Sequence, residues 1–131
     1  MISGVNQVVL YVNDQVEAKA FWTEKMGFAV AQDDEYGDER WIAVLTPDGA
    51  TRLVLSNREP GFESGPVRDG LPHSNVFFYT DDVRKTYEEL DSRGVEFPQA
   101  PVKQFYGWWS LFADQDGTRY ALGERWGNDN D

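Results

Sequence analysis

The stretch QVVLYVNDQVEAKAFWTEKMGF at residues 7–28 decides the fold, because a second copy of its pattern, SNVFFYTDDVRKTYEELDSRGV, occupies residues 74–95. Moving the first stretch along by 67 positions, from 7 to 74, aligns the aspartates, apolar residues and glycines of the two copies. A shift of 68 then aligns WIAVLTPDG at residues 41–49 with WSLFADQDG at residues 109–117. One small insertion reconciles the two shifts, so we interpret the chain as two copies of one structural unit.

Each copy reads as a strand, a helix and three further strands. The first strands, residues 8–12 and 75–79, are rich in β-branched and aromatic residues. The shift of 67 pairs Asp14 with Asp81 at the ends of these strands. An aspartate at such a position caps the N terminus of the following helix, because its carboxylate accepts hydrogen bonds from the first backbone N–H groups.

The ends of the helices are indicated by Gly27 and Gly94, since glycine adopts the left-handed conformation that terminates a helix. In the second helix, Val83, Tyr87 and Leu90 recur at helical spacing, which predicts a face packed against a sheet. The later strands are predicted at residues 29–32, 41–45, 52–56, 107–113 and 119–123, with hairpin turns at 47–49 and 116–117.

The organisation that follows is a single domain spanning residues 1–131. Between the two copies, three glycines and three prolines predict a linker rather than a core element. The predicted parts are module one at residues 1–56, the linker at 57–73, module two at 74–126 and a polar tail at 127–131.

The composition restricts the classes of function. The 131 residues include 12 Lys+Arg and 23 Asp+Glu, for a net charge of −11, and no cysteine. The acidity argues against nucleic acid and anionic membranes as partners, and the lack of cysteine excludes disulfides, thiolate metal sites and a cysteine nucleophile. Neither an export signal nor an apolar run of about 20 residues is present, so a cytoplasmic protein with a small-molecule partner is expected.

Four segments carry a resemblance to a known family: VNQVVLYVNDQ at 5–15, FWTEKMGF at 21–28, YTDDVRKTYEELDSRGVEF at 79–97 and FADQDGTRYAL at 112–122. Together they resemble the vicinal oxygen chelate superfamily, which includes glyoxalases, extradiol dioxygenases, fosfomycin-resistance enzymes and bleomycin-resistance proteins. The resemblance covers nearly the whole chain. It implies an α+β fold of two tandem βαβββ modules with curled mixed sheets, helices on the convex side and the concave faces forming one cavity. It also implies a homodimer.

Enzymes of this superfamily hold a divalent metal through His, Glu or Gln of the first strands and Glu of the last strands. The corresponding positions here are Gln7, Ser74, Val54 and Ala121. Only Gln7 among them is a competent ligand, whereas a catalytic site needs about three. We therefore expect no metal and no cofactor.

Two further residues bear on that expectation. His73 is the only histidine, and it is not counted as a metal ligand, because a shift of one residue from Ser74 turns a strand side chain to the opposite face. It follows Pro72 at the end of the linker and is interpreted as a surface residue rather than a catalytic base. A different register of the last strand would restore Glu124 as a metal ligand.

Alternation along the strands assigns side chains to the cavity, leaving Leu10, Val12, Phe77 and Tyr79 against the helices. Two arginines, Arg52 and Arg119, are predicted at the edge of the cavity. They either bind a carboxylate of the ligand or pair with acidic residues of the protein. The predicted ligand-binding residues from the strands are Gln7, Val9, Tyr11, Arg52, Val54, Ser74, Val76, Phe78, Arg119 and Ala121.

Aromatic residues in the segment YGWW at 106–109 suggest contacts with a planar or cationic ligand. Alternation sends Trp108 and Trp109 to opposite faces, and Trp108 is assigned to the cavity together with Tyr106. Tyr11 is a ligand contact or a proton donor. The acidic cluster at residues 33–39 is read as a solvated hairpin tip that could also attract a cation.

The favoured hypothesis is a metal-independent protein of the bleomycin-resistance type that sequesters a planar or cationic hydrophobic molecule. The alternative is a glyoxalase- or dioxygenase-like enzyme acting on a small vicinal-oxygen substrate. A third reading is a scaffold that keeps the fold without a ligand. No catalytic residue is assigned.

Overall fold

The computed structural model describes residues 1–57, 67–68 and 71–124. The chain divides into two compact units, Met1–Phe62 and Glu63–Asp131. The first contains β1 (Gln7–Val12), α1 (Gln15–Ala20), a π-helical turn (Phe21–Lys25), β2 (Ala29–Tyr36), β3 (Glu39–Leu45) and β4 (Arg52–Asn57). The second contains β5 (Val67–Arg68), β6 (Leu71–Thr80), α2 (Val83–Ser92), β7 (Glu96–Gln104), β8 (Gly107–Ala113) and β9 (Arg119–Glu124).

Both sheets are mixed and repeat one topology. The first has the order β1-β4-β3-β2, and the second has the order β5-β6-β9-β8-β7. In each unit the first long strand is parallel to the last, and the remaining long strands pair antiparallel. The predicted α+β fold with two βαβββ modules is therefore confirmed, with the short strand β5 as an addition.

Several strands differ in extent from the prediction. Strand β2 continues to Tyr36, and β6 begins at Leu71, inside the predicted linker. The remainder of that linker beyond Asn57, apart from β5, and the predicted tail at 127–131 lie outside the described residues. Within the described residues, no helix is both long and apolar enough to cross a membrane.

The helix ends are largely as predicted. Asp14 caps α1, and its carboxylate accepts hydrogen bonds from the backbone N–H groups of residues 16 and 17. Gly27 and Gly94 have positive φ angles of 79° and 88°, which supports their assignment as helix stops. In the second unit, however, the cap is Asp82 and not Asp81, because Asp82 accepts the hydrogen bond from the N–H of Lys85.

The change of cap reveals an extra residue in the first helix. Asp14 and Asp82 are 68 positions apart, whereas Gly27 and Gly94 are 67 apart, so the first copy holds one more residue between its cap and its glycine. The π-helical turn accommodates it, with the N–H of Met26 donating to the carbonyl of Phe21 five residues earlier. The first strands therefore correspond at a shift of 68 and not 67.

The core of the first unit lies between α1 and the sheet. Lys19 of α1 contacts Asp33 of β2, which marks the face of the sheet turned to the helix. The cross-strand partners of Asp33 on this face are, in order across the sheet, Ile42, Leu55 and Leu10. Trp22 fills the space under the helix, with its ring 5.3 Å from the rings of both neighbouring phenylalanines, Phe21 and Phe28.

The core of the second unit is a chain of aromatic rings that starts at α2. Tyr87 of α2 contacts Phe97 edge-on at 4.8 Å, and Phe97 lies 6.3 Å from Phe112. Phe112 stacks on Tyr120 at 5.4 Å, and Phe78 lies 5.8 Å from both of these rings. The even-numbered residues of β8 therefore face the helix.

The predicted acidic hairpin tip is exposed around the turn at residues 37–38, except at Asp33. Asp33 lies within the strand and binds two cations, with the Nζ of Lys19 at 2.6 Å and the Nε of Arg40 at 2.9 Å. Hydrogen bonds from Arg40 and then Lys19 hold the pKa of the Asp33 carboxyl well below its usual range. Asp33 thus joins helix to sheet on the helix side.

Replacing Asp33 with asparagine is expected to lower the stability at pH 7. Because the folded-state pKa is depressed, the stabilisation is present above the unfolded pKa of about 3.9 and is lost as the pH falls through the folded value. The difference from wild type should shrink steadily below about pH 4, measured by urea denaturation along a pH series. The exposed Asp38 provides the control, since its replacement by asparagine should leave the stability unchanged. A difference that grows in acid would contradict this assignment.

Candidate functional site

The sheet of the first unit has one face turned away from α1, which we call the first helix-distal face. Strand β1 contributes Gln7, Val9 and Tyr11 to it, all exposed, and Tyr11 retains 43% of its accessible surface. Strand β4 contributes Arg52 and Val54, paired with Gln7 and Val9 in the parallel register. The structure thus brings together the five residues that alternation predicted for this face.

Arg52 is held across this face by an amide. Its Nη2 donates to the Oε1 of Gln32 at 2.8 Å. Gln32 pairs with Ala43 of β3, and Ala43 pairs with Val54 of β4, so the hydrogen bond spans β3. The Nε atom of Arg52 is buried and makes no hydrogen bond.

The second unit has a corresponding second helix-distal face, and its residues differ from those predicted. Phe77 of β6 pairs with Ala121 of β9, which pairs with Leu111 of β8. Tyr79 pairs in the same way with Gly123, which pairs with Trp109. Phe77 and Tyr79 are exposed on this face, although alternation at a shift of 67 had placed both against α2. Of the cavity-side prediction for these strands, this register matches Ala121 and also Arg119, which lies two residues earlier on β9, opposite Ala113.

The cavity-side assignment of the other first-strand residues was wrong. Phe78 contacts the rings of Phe112 and Tyr120 on the α2 side, and Ser74 and Val76 share its half-buried side of the strand. The hydroxyl of Ser74 accepts a hydrogen bond from the N–H of Val76. The cause is the single residue by which the first helix is longer, because a one-residue slip turns every strand side chain over.

Phe77 and Gly123 form one arrangement. The ring of Phe77 lies so close over Gly123 that a Cβ there would stand 2.8 Å from its Cε1 atom. Non-bonded carbon atoms do not approach so closely, so the ring can keep this position only if residue 123 is glycine. Phe77 nevertheless keeps 60% of its surface exposed. One side of the Phe77 ring therefore packs on the backbone at Gly123, and the ring otherwise remains exposed.

Trp108 does not lie on the helix-distal face. The guanidinium carbon of Arg84, in the first turn of α2, stands 4.4 Å above the centroid of the Trp108 ring. The prediction that Trp108 and Trp109 face opposite sides agrees with the register, but the assignment of Trp108 to the cavity was wrong. Trp109 takes the helix-distal position.

Tyr106 lies in the two-residue connection between β7 and β8. Its ring contacts that of Phe105 edge-on at 4.9 Å. Both rings are exposed, and Phe105 is 99% accessible. No contact of Tyr106 with either helix-distal face is described, so its predicted role in binding rests on the sequence alone.

The metal-ligand positions are only partly as predicted. Val54 and Ala121 lie at matching places, opposite Val9 and Phe77. The sequence alignment took Ser74 as the counterpart of Gln7. In the structure, Gln7 pairs with Arg52 at the start of β4, and the residue that pairs with Arg119 at the start of β9 is His73. The register has a bulge between residues 73 and 77, which the sequence alignment had not included.

Glu124, the alternative metal ligand considered from the sequence, contacts the start of α2. Its Oε2 accepts a hydrogen bond from the N–H of Val83 at the start of α2. Arg119 begins the same strand and is buried. Within the described parts of the chain, no group of three His, Asp or Glu side chains is placed to hold a metal ion.

Comparison with known proteins places this geometry in context. A family model described as Glyoxalase/Bleomycin resistance protein/Dioxygenase superfamily matches residues 4–122. An uncharacterized protein, YetH, of Bacillus subtilis (strain 168) is 35% identical over 125 residues, which cover 95% of this chain and 100% of the relative.

Two solved structures are similar over nearly the whole chain. The crystal structure of UcmS2 matches with a TM-score of 0.81 at 30% identity, covering 95% of this chain and 100% of that one. TnmS3, an antibiotic binding protein from Streptomyces sp. CB03234, matches with a TM-score of 0.77 at 30% identity, covering 94% of this chain and 96% of its own.

Proposed function

Because the chain belongs to the glyoxalase/bleomycin resistance protein/dioxygenase superfamily, we propose that it binds and sequesters a small planar hydrophobic molecule without a metal and without converting it. The observation that carries the proposal is the exposed ring of Phe77, supported by Gly123 and flanked in register by Tyr79 and Trp109. An aromatic surface of this kind stacks on planar compounds and also attracts cations.

The similarity to TnmS3 supports this proposal over catalysis, because TnmS3 is an antibiotic binding protein. Two of the four metal-ligand positions support it as well. Val54 and Ala121 have no atom that could coordinate a metal, and the carboxylate of Glu124 binds the start of α2. The chemistry assigned to the protein is therefore binding.

The test is a titration of the purified protein with planar aromatic probes, using neutral 2-anthracenecarboxamide and the cationic dye acridine orange. We expect dissociation constants of about micromolar order, unchanged by EDTA, and recovery of each probe intact by mass spectrometry. Conversion of a probe that stops on adding EDTA would instead support the enzyme alternative. Failure of every planar probe to bind would contradict the proposal.

Variants of the ring platform locate the binding. Phe77→Leu removes the ring, and Gly123→Ala keeps the ring but displaces it, since the new Cβ would collide with it. Each is expected to weaken binding about 2- to 10-fold, in line with the contribution of one aromatic contact. Phe105→Leu is the matched control, because it removes an exposed phenylalanine from the β7–β8 connection. Equal losses in all three variants would count against the platform.

We also propose a homodimer in the cytoplasm. The first sheet ends at β1 on one side and at β2 on the other, and edge strands favour association with further chains or covering segments. Native mass spectrometry of protein purified without chelator tests the subunit count and detects any bound organic compound in the same spectrum. A monomer would contradict this part of the proposal.

A further inference from the structure

We propose that Arg52 binds a carboxylate, so that the first helix-distal face takes a planar apolar acid. The inference goes beyond the proposed function, because it concerns the sheet of the first unit by itself and an anionic ligand. It follows from how the charge of Arg52 is held on the first helix-distal face.

The first step concerns the partners of the arginines. Arg40, on the opposite face of the same sheet, binds both oxygens of Asp33, through Nε at 2.9 Å and Nη2 at 3.0 Å. Arg93 binds Glu89 at 2.7 Å. Arg52 differs, because its described hydrogen bond goes to the neutral amide of Gln32. Although the chain has 23 acidic residues, Arg52 forms no ion pair with any carboxylate in the part of the chain that the structure describes.

The second step concerns the hydrogen-bond donors of the guanidinium group. Its Nε side is buried, and one Nη2 hydrogen is used by Gln32. The remaining donors are on the Nη atoms at the end of the side chain. A guanidinium offers parallel N–H groups that match the two oxygens of a carboxylate, and this fit is lost with a lysine.

The third step concerns the surroundings of the charge. Val9 and Val54 occupy the neighbouring row of the same face, and Tyr11 follows on β1. A ligand that reaches Arg52 from this face therefore lies against apolar and aromatic side chains. The combination of an apolar surface with a partly buried cation is complementary to an apolar body that carries an acidic group.

The experiment compares two probes of equal shape, 2-anthracenecarboxylate and 2-anthracenecarboxamide, binding to the full chain at pH 7. We expect the wild type to bind the carboxylate about tenfold more tightly, as a charge-assisted hydrogen bond provides. Arg52→Met should abolish this preference by weakening the carboxylate alone. Arg40→Met removes the same charge from the other face of the sheet and should leave the preference unchanged.

A second variant tests the idea with Arg52 in place. Gln32→Glu supplies the missing carboxylate partner at nearly constant shape, so it should neutralise Arg52 and abolish the preference as well. This result does not depend on whether Arg52→Met folds. Preference retained in Gln32→Glu, or in folded Arg52→Met, would overturn the inference.

The two proposals fail in different ways. A wild type that binds both probes equally would overturn the role of Arg52 and leave the binding function standing. A wild type that binds neither probe, nor acridine orange, would overturn both.

Discussion

Replacing Trp22 with alanine is expected to lower the free energy of unfolding by about 3–5 kcal/mol, the usual cost of removing a large buried aromatic side chain. Trp22 has 0% of its surface exposed, and Phe21 and Phe28 contact its ring from two sides. Since domains of this size are stabilised by about 5–15 kcal/mol, much of the stability would be lost.

Urea denaturation followed by far-ultraviolet circular dichroism measures this loss. Trp41→Ala is the matched control, because Trp41 lies in the same unit with 43% of its surface exposed. Its replacement should cost only about three fifths as much, in proportion to the smaller buried area. Equal losses in the two variants would mean that Trp22 is not the centre of this core.

The local motifs of the sequence predicted the fold because each acts through its own chemistry. Asp14 caps α1, and Gly27 and Gly94 end their helices with positive φ angles. Gly49 and Gly117 likewise have positive φ angles in the predicted hairpin turns. These features need no knowledge of distant contacts. The repeat then gave the same arrangement of strands twice.

The candidate site was harder to predict, because which face a side chain occupies depends on single residues. The adjacent aspartates Asp81 and Asp82 allowed either shift between the copies, and only the structure shows that Asp82 is the cap. The π-helical turn that absorbs the extra residue has no recognisable sequence motif. The error exchanged Phe77 for Phe78, and with it the platform for the core.

Gln32 illustrates the same limit on the other sheet. The pairing of β2 with β3 shifts between Val30 and Gln32, so Gln32 pairs with Ala43 instead of Ile42. This bulge turns Gln32 to the helix-distal face, where it reaches Arg52. Alternation had predicted the face on which Arg52 lies, but nothing in the sequence marks the bulge that brings Gln32 to it.

The other large expected effect concerns Asp114, in the FADQDG motif that contributed to the family resemblance. Its Oδ1 accepts hydrogen bonds from the N–H groups of Asp116 at 2.9 Å and Thr118 at 3.0 Å, and its Oδ2 accepts from the hydroxyl of Tyr120 at 2.9 Å. The carboxylate thus organises the β8–β9 turn, which sets the register of β9. We therefore interpret the motif as a feature of the fold rather than of ligand binding.

Asp114→Ala is expected to lower the free energy of unfolding by about 2–4 kcal/mol, because it removes a buried acceptor shared by three donors. Asp114→Asn is the matched variant. Its amide oxygen can accept from the same two backbone N–H groups, and its NH2 group can donate to the Tyr120 oxygen. It should lose much less stability than alanine, measured by urea denaturation at pH 7. Equal losses would mean that the negative charge, and not the hydrogen-bond geometry, stabilises the turn.

The pH dependence separates the charge of Asp114 from its hydrogen bonds. Burial raises the pKa of this carboxyl, although the bonds from Tyr120 and the backbone act in the opposite direction. Between the unfolded pKa of about 3.9 and the higher folded value, the folded state binds more protons, so this group's contribution to stability falls as the pH rises. Asparagine does not titrate. The stability of Asp114→Asn relative to wild type should therefore increase across this interval and stay constant above it, whereas a decrease would show that the hydrogen bonds outweigh burial.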